Sequence, residues 1–508
     1  MSLEPIAAVA RSGDLRLREP TWDPRGPGVA HRMRLIGMAH SVAALWYFGW
    51  LLQPARVGHP VLYALPMAAE LFNLLQAAGF WWTVAHERVR DGKRSPGKPP
   101  VDVFIPVYDE PVQVVEPTVA AAARLRGAEV RVALLDDGVR DEVRAVAERH
   151  GVRYIAREES TGAKAGNINH ALPLTSAPYV LVLDCDHVPS PRFLERTLGH
   201  FADPHLGFVQ TPQYYANAAR GGVAAAAWGQ QALFFGAIAR GKDGMGAMFC
   251  CGTNVLYRRA ALDHVGGFPE ESVTEDFELS IRLHERGWNS AYVPEVLANG
   301  LGPEDMAAYV GQQDRWARGC LAAFTVALRA KLPWRLKLQY VLSSMFFFTG
   351  WTFLLYMLFP VIRIMTGAQP IGGASADLFI LHFAPYFGIA LGGRRGRCRR
   401  VHLRRVLADG RQLLGPRACV AGQPPEAPVG VHRDTQGGGG RPTSSSRVAC
   451  TGADRCPHRR VGVRPHRGSQ PRDVQQRRVR CPAPGRPDPW RSRGVATAAA
   501  GARDDRPR

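Results

Sequence analysis

Four apolar runs punctuate the chain, two near its start and two after residue 333, and a long stretch of different rhythm lies between them. The first pair, Leu35–Leu52 and Val61–Val84, and the second pair, Leu338–Ile364 and Ala374–Leu391, each approach membrane length. A bilayer core requires roughly 20 apolar residues of helix. His40, Glu70 and Asn73 interrupt the first pair, so a buried helical hairpin competes with two spans there. Arg88, Arg90, Lys93 and Arg94 follow directly, and a basic flank of this kind marks the cytoplasmic side. Residues 1–34 are polar and end in Arg32 and Arg34, a pattern unlike a signal peptide, whose apolar run is followed by a small-residue cleavage site. The pattern divides the chain into a polar segment 1–34, two spans within 35–85, a soluble domain 99–333, two further spans within 334–392, and a tail 393–508.

Within 99–333 the period changes. Val101–Pro106, Val130–Leu135, Val152–Ala156 and Tyr179–Leu183 are short apolar runs suited to buried strands. Val112–Arg126, Arg140–His150 and Ala165–Ala171 between them have helical length and composition. Alternating β and α elements predict a doubly wound α/β sheet with its ligands at the carboxyl ends of the strands. Val223–Ala239 and Met306–Lys331 read as amphipathic helices lying on a membrane surface, or as helices packed on the α/β domain. A soluble domain held between spans acts on something that enters, leaves or lives in the bilayer.

Charge changes this picture only at the end of the chain. The formal net charge is +20, and from Gly393 onward there are 27 Arg and no Lys against 8 acidic residues. The rest of the chain is close to neutral, which argues against reading the net charge as a nucleic-acid-binding face on the folded part. The nine cysteines form no CxxC pair and no Cys–His ligand spacing, so neither a zinc site nor a disulfide framework is expected.

Four motifs fall at the ends of predicted elements. Asp136-Asp137-Gly138 follows a strand; its carboxylates can accept hydrogen bonds from a base or ribose, although Asp-Asp-Gly is also a common turn. Asp184-Cys185-Asp186 follows another strand and suits a hard divalent cation. Thr274-Glu275-Asp276 opens a helix, either as its cap or as a source of a general base. Gln312-Gln313-Asp314-Arg315-Trp316 offers a planar cation for phosphate and an indole face for a sugar ring.

Taken together, this order resembles the processive family 2 glycosyltransferases, and among them the bacterial cellulose synthase catalytic subunits. Val103 to Glu110, with Asp109 where the family has Asn, is similar to its opening strand, and Lys164-Ala165-Gly166-Asn167, Asp184 to Pro189, Val209 to Pro212 and Phe249 to Gly252 also fit. The resemblance covers roughly residues 35–392. It implies a Rossmann-like GT-A α/β domain, cytosolic and inserted between transmembrane helices, in a multi-pass protein of the bacterial inner membrane. The expected partners are a UDP-sugar donor, a growing polysaccharide chain, the lipid bilayer and a periplasmic subunit, with no nucleic acid. The implied chemistry is inverting transfer of glucose from UDP-glucose to a β-1,4-glucan. Other β-linked polymers, or a chain that binds UDP-sugar without activity, are the alternatives. The resemblance assigns Tyr108, Glu110, Asp136, Asp137, Lys164, Asp184 and Arg315 to the nucleotide sugar, and Asp186 with Asp184 to Mg²⁺ or Mn²⁺. Asp276, beside Thr274 and Glu275, becomes the base, and Cys251, Gln312 and Trp316 receive the acceptor sugar.

The tail departs from this pattern. It lacks Phe, Tyr, Met, Ile, Asn and Lys, and shows neither helical nor alternating periodicity, which predicts disorder. The family continues at this point with more spans and a gating loop, Phe-x-Val-Thr-x-Lys. Val431 to Gln436 can be encoded as GTT CAC CGT GAC ACC CAA followed by G, which one base later reads Phe-Thr-Val-Thr-Pro-Lys. A reading-frame change near residue 393 is therefore one account of the tail. A true basic tail for anionic lipid or nucleic acid is the other.

Overall fold

A computed structural model describes residues 29–218 and 222–390. The expectations for the segment 393–508 lie outside the described residues. Helix α1 spans Val29–Leu51 and α2 spans Pro60–Ala85. After a linker come β1 (Pro100–Val107), α3 (Val112–Ala122), β2 (Glu129–Asp136), α4 (Asp141–Arg149), β3 (Arg153–Ala156), α5 (Ala163–Ala171) and β4 (Tyr179–Val182). The chain continues through β5 (Val188–Pro189), β6 (Leu206–Gln210), β7 (Tyr214–Tyr215), α6 (Gly222–Leu233) and α7 (Ala239–Gly244). It closes with β8 (Val255–Arg258), α8 (Arg259–Val265), α9 (Glu275–Glu285), β9 (Asn289–Tyr292), β10 (Ala298–Gly300) and α10 (Met306–Arg329). Helices α11 (Trp334–Ser344), α12 (Thr349–Thr366) and α13 (Ala376–Ala390) end the described residues.

The larger sheet has seven strands in the order β3-β2-β1-β4-β8-β6-β9. Strands β3, β2, β1 and β4 are mutually parallel, as the alternating pattern predicted. Strand β8 runs antiparallel between β4 and β6, so the sheet is mixed. A second sheet, β5-β10-β7, is built from strands two or three residues long. The near-continuous hydrophobicity of β1 follows from burial on both faces. Val101, Val103, Ile105 and Val107 enter one core cluster, while Phe104 enters the other beside Ala133 and Leu135 of β2. Successive strand side chains point to opposite faces. One acid lies within β1: Asp102 is buried, accepting from the guanidinium of Arg259 at 2.8 Å and the amide of Ala177 at 2.8 Å.

Among the described residues, three helical stretches are long and apolar enough to cross a membrane: Pro60–Ala85, Gly222–Gly244 and Trp334–Thr366. The first and last coincide with predicted spans. The second is the predicted surface helix Val223–Ala239, lengthened through a π-turn at Phe234–Ile238 into α7. Helix α1 is not among them, and α13 is a shorter apolar helix. The loops far from the sheet meet each other, with Gly58 N donating to Pro370 O at 3.1 Å and His59 N to Gln369 O at 2.9 Å. The two helical hairpins thus turn on the same side. At their other end, α7 docks on the foot of α2, where Arg88 N donates to Arg240 O and Lys242 Nζ reaches Ser343 Oγ of α11 at 2.8 Å.

Candidate active site

The carboxyl ends of β1, β2 and β4 form one rim, and α9 and α10 face it. At β1 the chain emerges through Tyr108, which is 64% exposed, while the Glu110 carboxylate accepts from the Tyr108 amide at 2.9 Å. At β2 the two aspartates are buried. Asp136 accepts from Gly138 N, from Arg140 N at 2.6 Å and from the Tyr154 hydroxyl at 2.7 Å. Asp137 is gripped by Arg157, whose remaining donors go to the carbonyls of Thr161 and Ala163. Both carboxylates therefore hold the turn and the loop leading to α5. What this end offers outward is Tyr108 and the half-buried Glu110.

The β4 end is arranged differently. Asp184 N donates to the Thr253 hydroxyl oxygen at 2.7 Å, and the Asp184 carboxylate pairs with Lys164 Nζ. Lys164 stands on α5, which Asn167 fastens to β2 by donating to Leu135 O at 3.0 Å. Its ammonium also donates to Gly252 O at 2.7 Å. Gly252 has φ +78°, and a Cβ there would lie 3.2 Å from Asp276 Oδ2 and 3.7 Å from Lys164 Nζ. The Phe249–Gly252 segment thus passes between the first residues of α9 and the end of β4, bringing Asp276, Lys164 and Asp184 into one pocket. The segment is fixed from below: Cys250 N donates to Ser280 Oγ at 2.7 Å and Cys251 N to Gln210 Oε1 at 2.8 Å.

Thr274 precedes α9 but makes no side-chain cap, and its hydroxyl is buried without a partner. Asp276 instead turns back to accept from the Phe277 amide at 2.7 Å. The second carboxylate oxygen is left toward Gly252. A Cβ at Gly319 of α10 would collide with Thr274, so glycine lets the helix carrying Gln312 to Trp316 lie against the start of α9. Arg315 is exposed, and its charge reaches Glu275. The Tyr215 hydroxyl accepts from Gln231 of α6 at 3.2 Å, and Gln313 accepts from Gln230 of the same helix at 3.1 Å, while Gln312 is half-buried. Trp316 is half-buried and pairs with no described ring.

The charges here are unbalanced. Burial alone would lower the Lys164 ammonium, but Asp184, Glu275 and Asp276 outweigh it and hold the ammonium well above its ordinary value. Burial, then the neighbouring Glu275 carboxylate, pushes Asp276 up to about 7. Burial also raises Glu275. Burial works to raise Asp186 too, yet the adjacent His187 ring holds it below its usual range. His187 Nδ1 lies 2.7 Å from Asp186 Oδ1, with the ring packed over Gly300, where any Cβ would collide.

One atom each from Asp184, Asp186 and His187 lie within 4.8 Å of one another. Two carboxylates on one short loop fit a hard divalent cation, which takes oxygen ligands and completes its shell from phosphate or water. His187 escaped the sequence analysis; its position directly after the second aspartate was the available signal. Arg157, which saturates Asp137, carried none, because the pairing spans 20 residues of chain.

Comparison with known proteins now decides the class. Residues 99–319 match the family described as glycosyltransferase like family 2. This stretch is a family 2 glycosyltransferase domain. Cellulose synthase 2 of Novacetimonas hansenii is 32% identical over 384 residues, covering 72% of this chain and 24% of that protein. The UDP-forming cellulose synthase 1 catalytic subunit of Komagataeibacter xylinus is 40% identical over 238 residues, covering 45% of this chain and 32% of that protein. The chain thus spans about a quarter to a third of the length of these relatives. Among solved structures, a mannosyltransferase from Pyrobaculum calidifontis in complex with GDP-Man and Mn²⁺ superposes with TM-score 0.52 at 16% identity, over 70% of this chain and 99% of that one. The glycosyltransferase domain is GT-A-like: a mixed sheet with the aspartate pair at a strand end.

Proposed function

We propose that the chain is an inverting, UDP-forming hexosyltransferase that extends a β-1,4-glucan from UDP-glucose at the bacterial inner membrane. The observation that carries this reading is the meeting of Lys164 and Asp276 at Gly252, with Asp184 paired to the same lysine. Similarity to UDP-forming cellulose synthase catalytic subunits supports the choice of donor and product. The apolar helices flanking the domain support a multi-pass membrane location with the domain on the cytoplasmic side.

In this reading Tyr108 and Glu110 receive the nucleotide's base and ribose, on a turn stiffened by the Asp136–Asp137 pair. A divalent cation, Mg²⁺ or Mn²⁺, held by Asp184 and Asp186 would offset the charge of the leaving diphosphate. Lys164 and Arg315 add fixed positive charge at the same group. The acceptor's terminal ring rests on Trp316, with Gln312 and Cys251 beside it. Its 4-hydroxyl oxygen attacks the anomeric carbon as the bond to UDP breaks, and Asp276 takes the proton. A carboxyl raised to about 7 is a stronger base than an ordinary carboxylate and is still largely ionised above neutrality.

The test is Asp276→Asn in the purified full chain with UDP-glucose. UDP release and glucan formation should fall by roughly 10²–10⁴-fold while UDP binding is retained. Glucan formation near the unsubstituted rate would overturn the assignment.

A further inference from the structure

Outside the catalytic rim, the foot of α2 holds a cavity of about 410 Å³ that the proposed reaction does not use. Trp82 and His86 line it from α2 and the residue just beyond it, Met245 from the end of α7, and Trp334, Arg335 and Leu338 from α11. The two indoles lie parallel, 3° apart in plane with centroids separated by 6.1 Å. Trp334 is 66% exposed, and the Arg335 guanidinium sits 5.4 Å from its ring centre. Arg88 lines an adjoining cavity of about 320 Å³ on the other side of Gly244, a residue common to both. A Cβ at Gly244 would collide with His86 O, so the end of α7 presents bare backbone there and leaves the cavity open. Among the described residues Arg335 has no carboxylate partner, while Arg88 acts with Arg90 on the buried Asp243 carboxylate, two cations to one acid.

Two features fix the chemistry of an occupant. One wall is apolar and aromatic, and the other carries Arg335 and, beyond Gly244, the cation-rich side of Arg88 and Arg90, which suits an amphipathic anion. The cavity also lies where two apolar helices begin or end together: Trp82 stands near the last turn of Pro60–Ala85, and Trp334 is the first residue of Trp334–Thr366. Tryptophans at such a level sit among lipid headgroups, and basic residues beside them attract anionic ones. We infer that this cavity binds an anionic phospholipid of the leaflet facing the glycosyltransferase domain. Its glycerol and upper acyl carbons lie between Trp82, Trp334 and Leu338, and its phosphate faces Arg335 and Arg88. Because α7 leads directly into the Phe249–Gly252 segment, a lipid here would seat the domain against the bilayer.

This inference rests on the membrane reading above, and one experiment separates the two. The full chain is placed in nanodiscs of phosphatidylcholine with roughly one phosphatidylglycerol for every three lipids. Native mass spectrometry then counts the lipid retained on stripping. The chain should keep a phosphatidylglycerol that excess inorganic phosphate does not displace. In the double variant Arg88→Gln with Arg335→Gln, retention should fall about ten-fold while UDP binding stays unchanged. Equal retention by the variant, equal retention of phosphatidylcholine, or displacement by inorganic phosphate would each overturn the lipid site while leaving the membrane reading intact. Release of the chain from membranes by alkaline extraction would overturn both.

Discussion

The ends of β2 and β4 lie on one rim, on either side of β1, and each carries a pair of aspartates, yet they are built to opposite plans. At β2 every carboxylate oxygen is answered by the protein itself: Arg140, Tyr154 and backbone amides serve Asp136, and Arg157 serves Asp137. At β4 the acids outnumber their partners. Asp184, Glu275 and Asp276 share the field of Lys164, and Asp186 leans on His187. Acids that are satisfied in the fold hold a shape. Acids left in excess, in a site partly withdrawn from water, attract a cation and keep one proton at raised pKa.

This contrast can be broken from either side. The largest expected effect is on folding: Arg157→Met leaves Asp137 buried and unpaired, which costs about 3–5 kcal/mol and shows as a lowered thermal midpoint of the purified chain. Unchanged melting would show that the β2 pair is not structural. Lys164→Met should leave melting nearly as it was but lower kcat/KM for UDP release by roughly 10²–10³-fold, since it removes a fixed charge from the leaving group. Next comes a shift rather than a loss. Asp276 works as a base only when ionised, so the rate rises with pH through about 7. Glu275→Gln removes the second cause of that elevation, and the acid limb of the pH–rate profile should move to lower pH. Movement to higher pH would contradict the electrostatic account. The smallest effect belongs to Asp314→Ala, which removes an exposed pair with Arg318 one turn away on α10. Melting should change by no more than about 0.5 kcal/mol.

The sequence carried the parts of this molecule that local pattern controls. Strand β1 and its parallel neighbours were visible as apolar runs because both faces are buried, and the motif aspartates fell at strand ends because polar residues halt such runs. What long-range pairing decides was hidden. Strand β8 inserts antiparallel between β4 and β6, and nothing in Val255–Arg258 announces its direction. The strands of the small sheet are too short to show a period. The Asp-Asp-Gly motif read equally as turn or ligand, and only the position of Arg157 shows how far the turn role occupies it. Gly252 looked like part of a motif, whereas its function is to admit two charged groups to the same space.

Mn²⁺ binding in the presence of UDP, followed by electron paramagnetic resonance on the full chain, tests the contrast most directly. Asp186→Asn should abolish tight Mn²⁺ binding, while Asp137→Asn should retain it per folded molecule. Equal loss in both variants, or retention in both, would contradict the division between structural and functional acids.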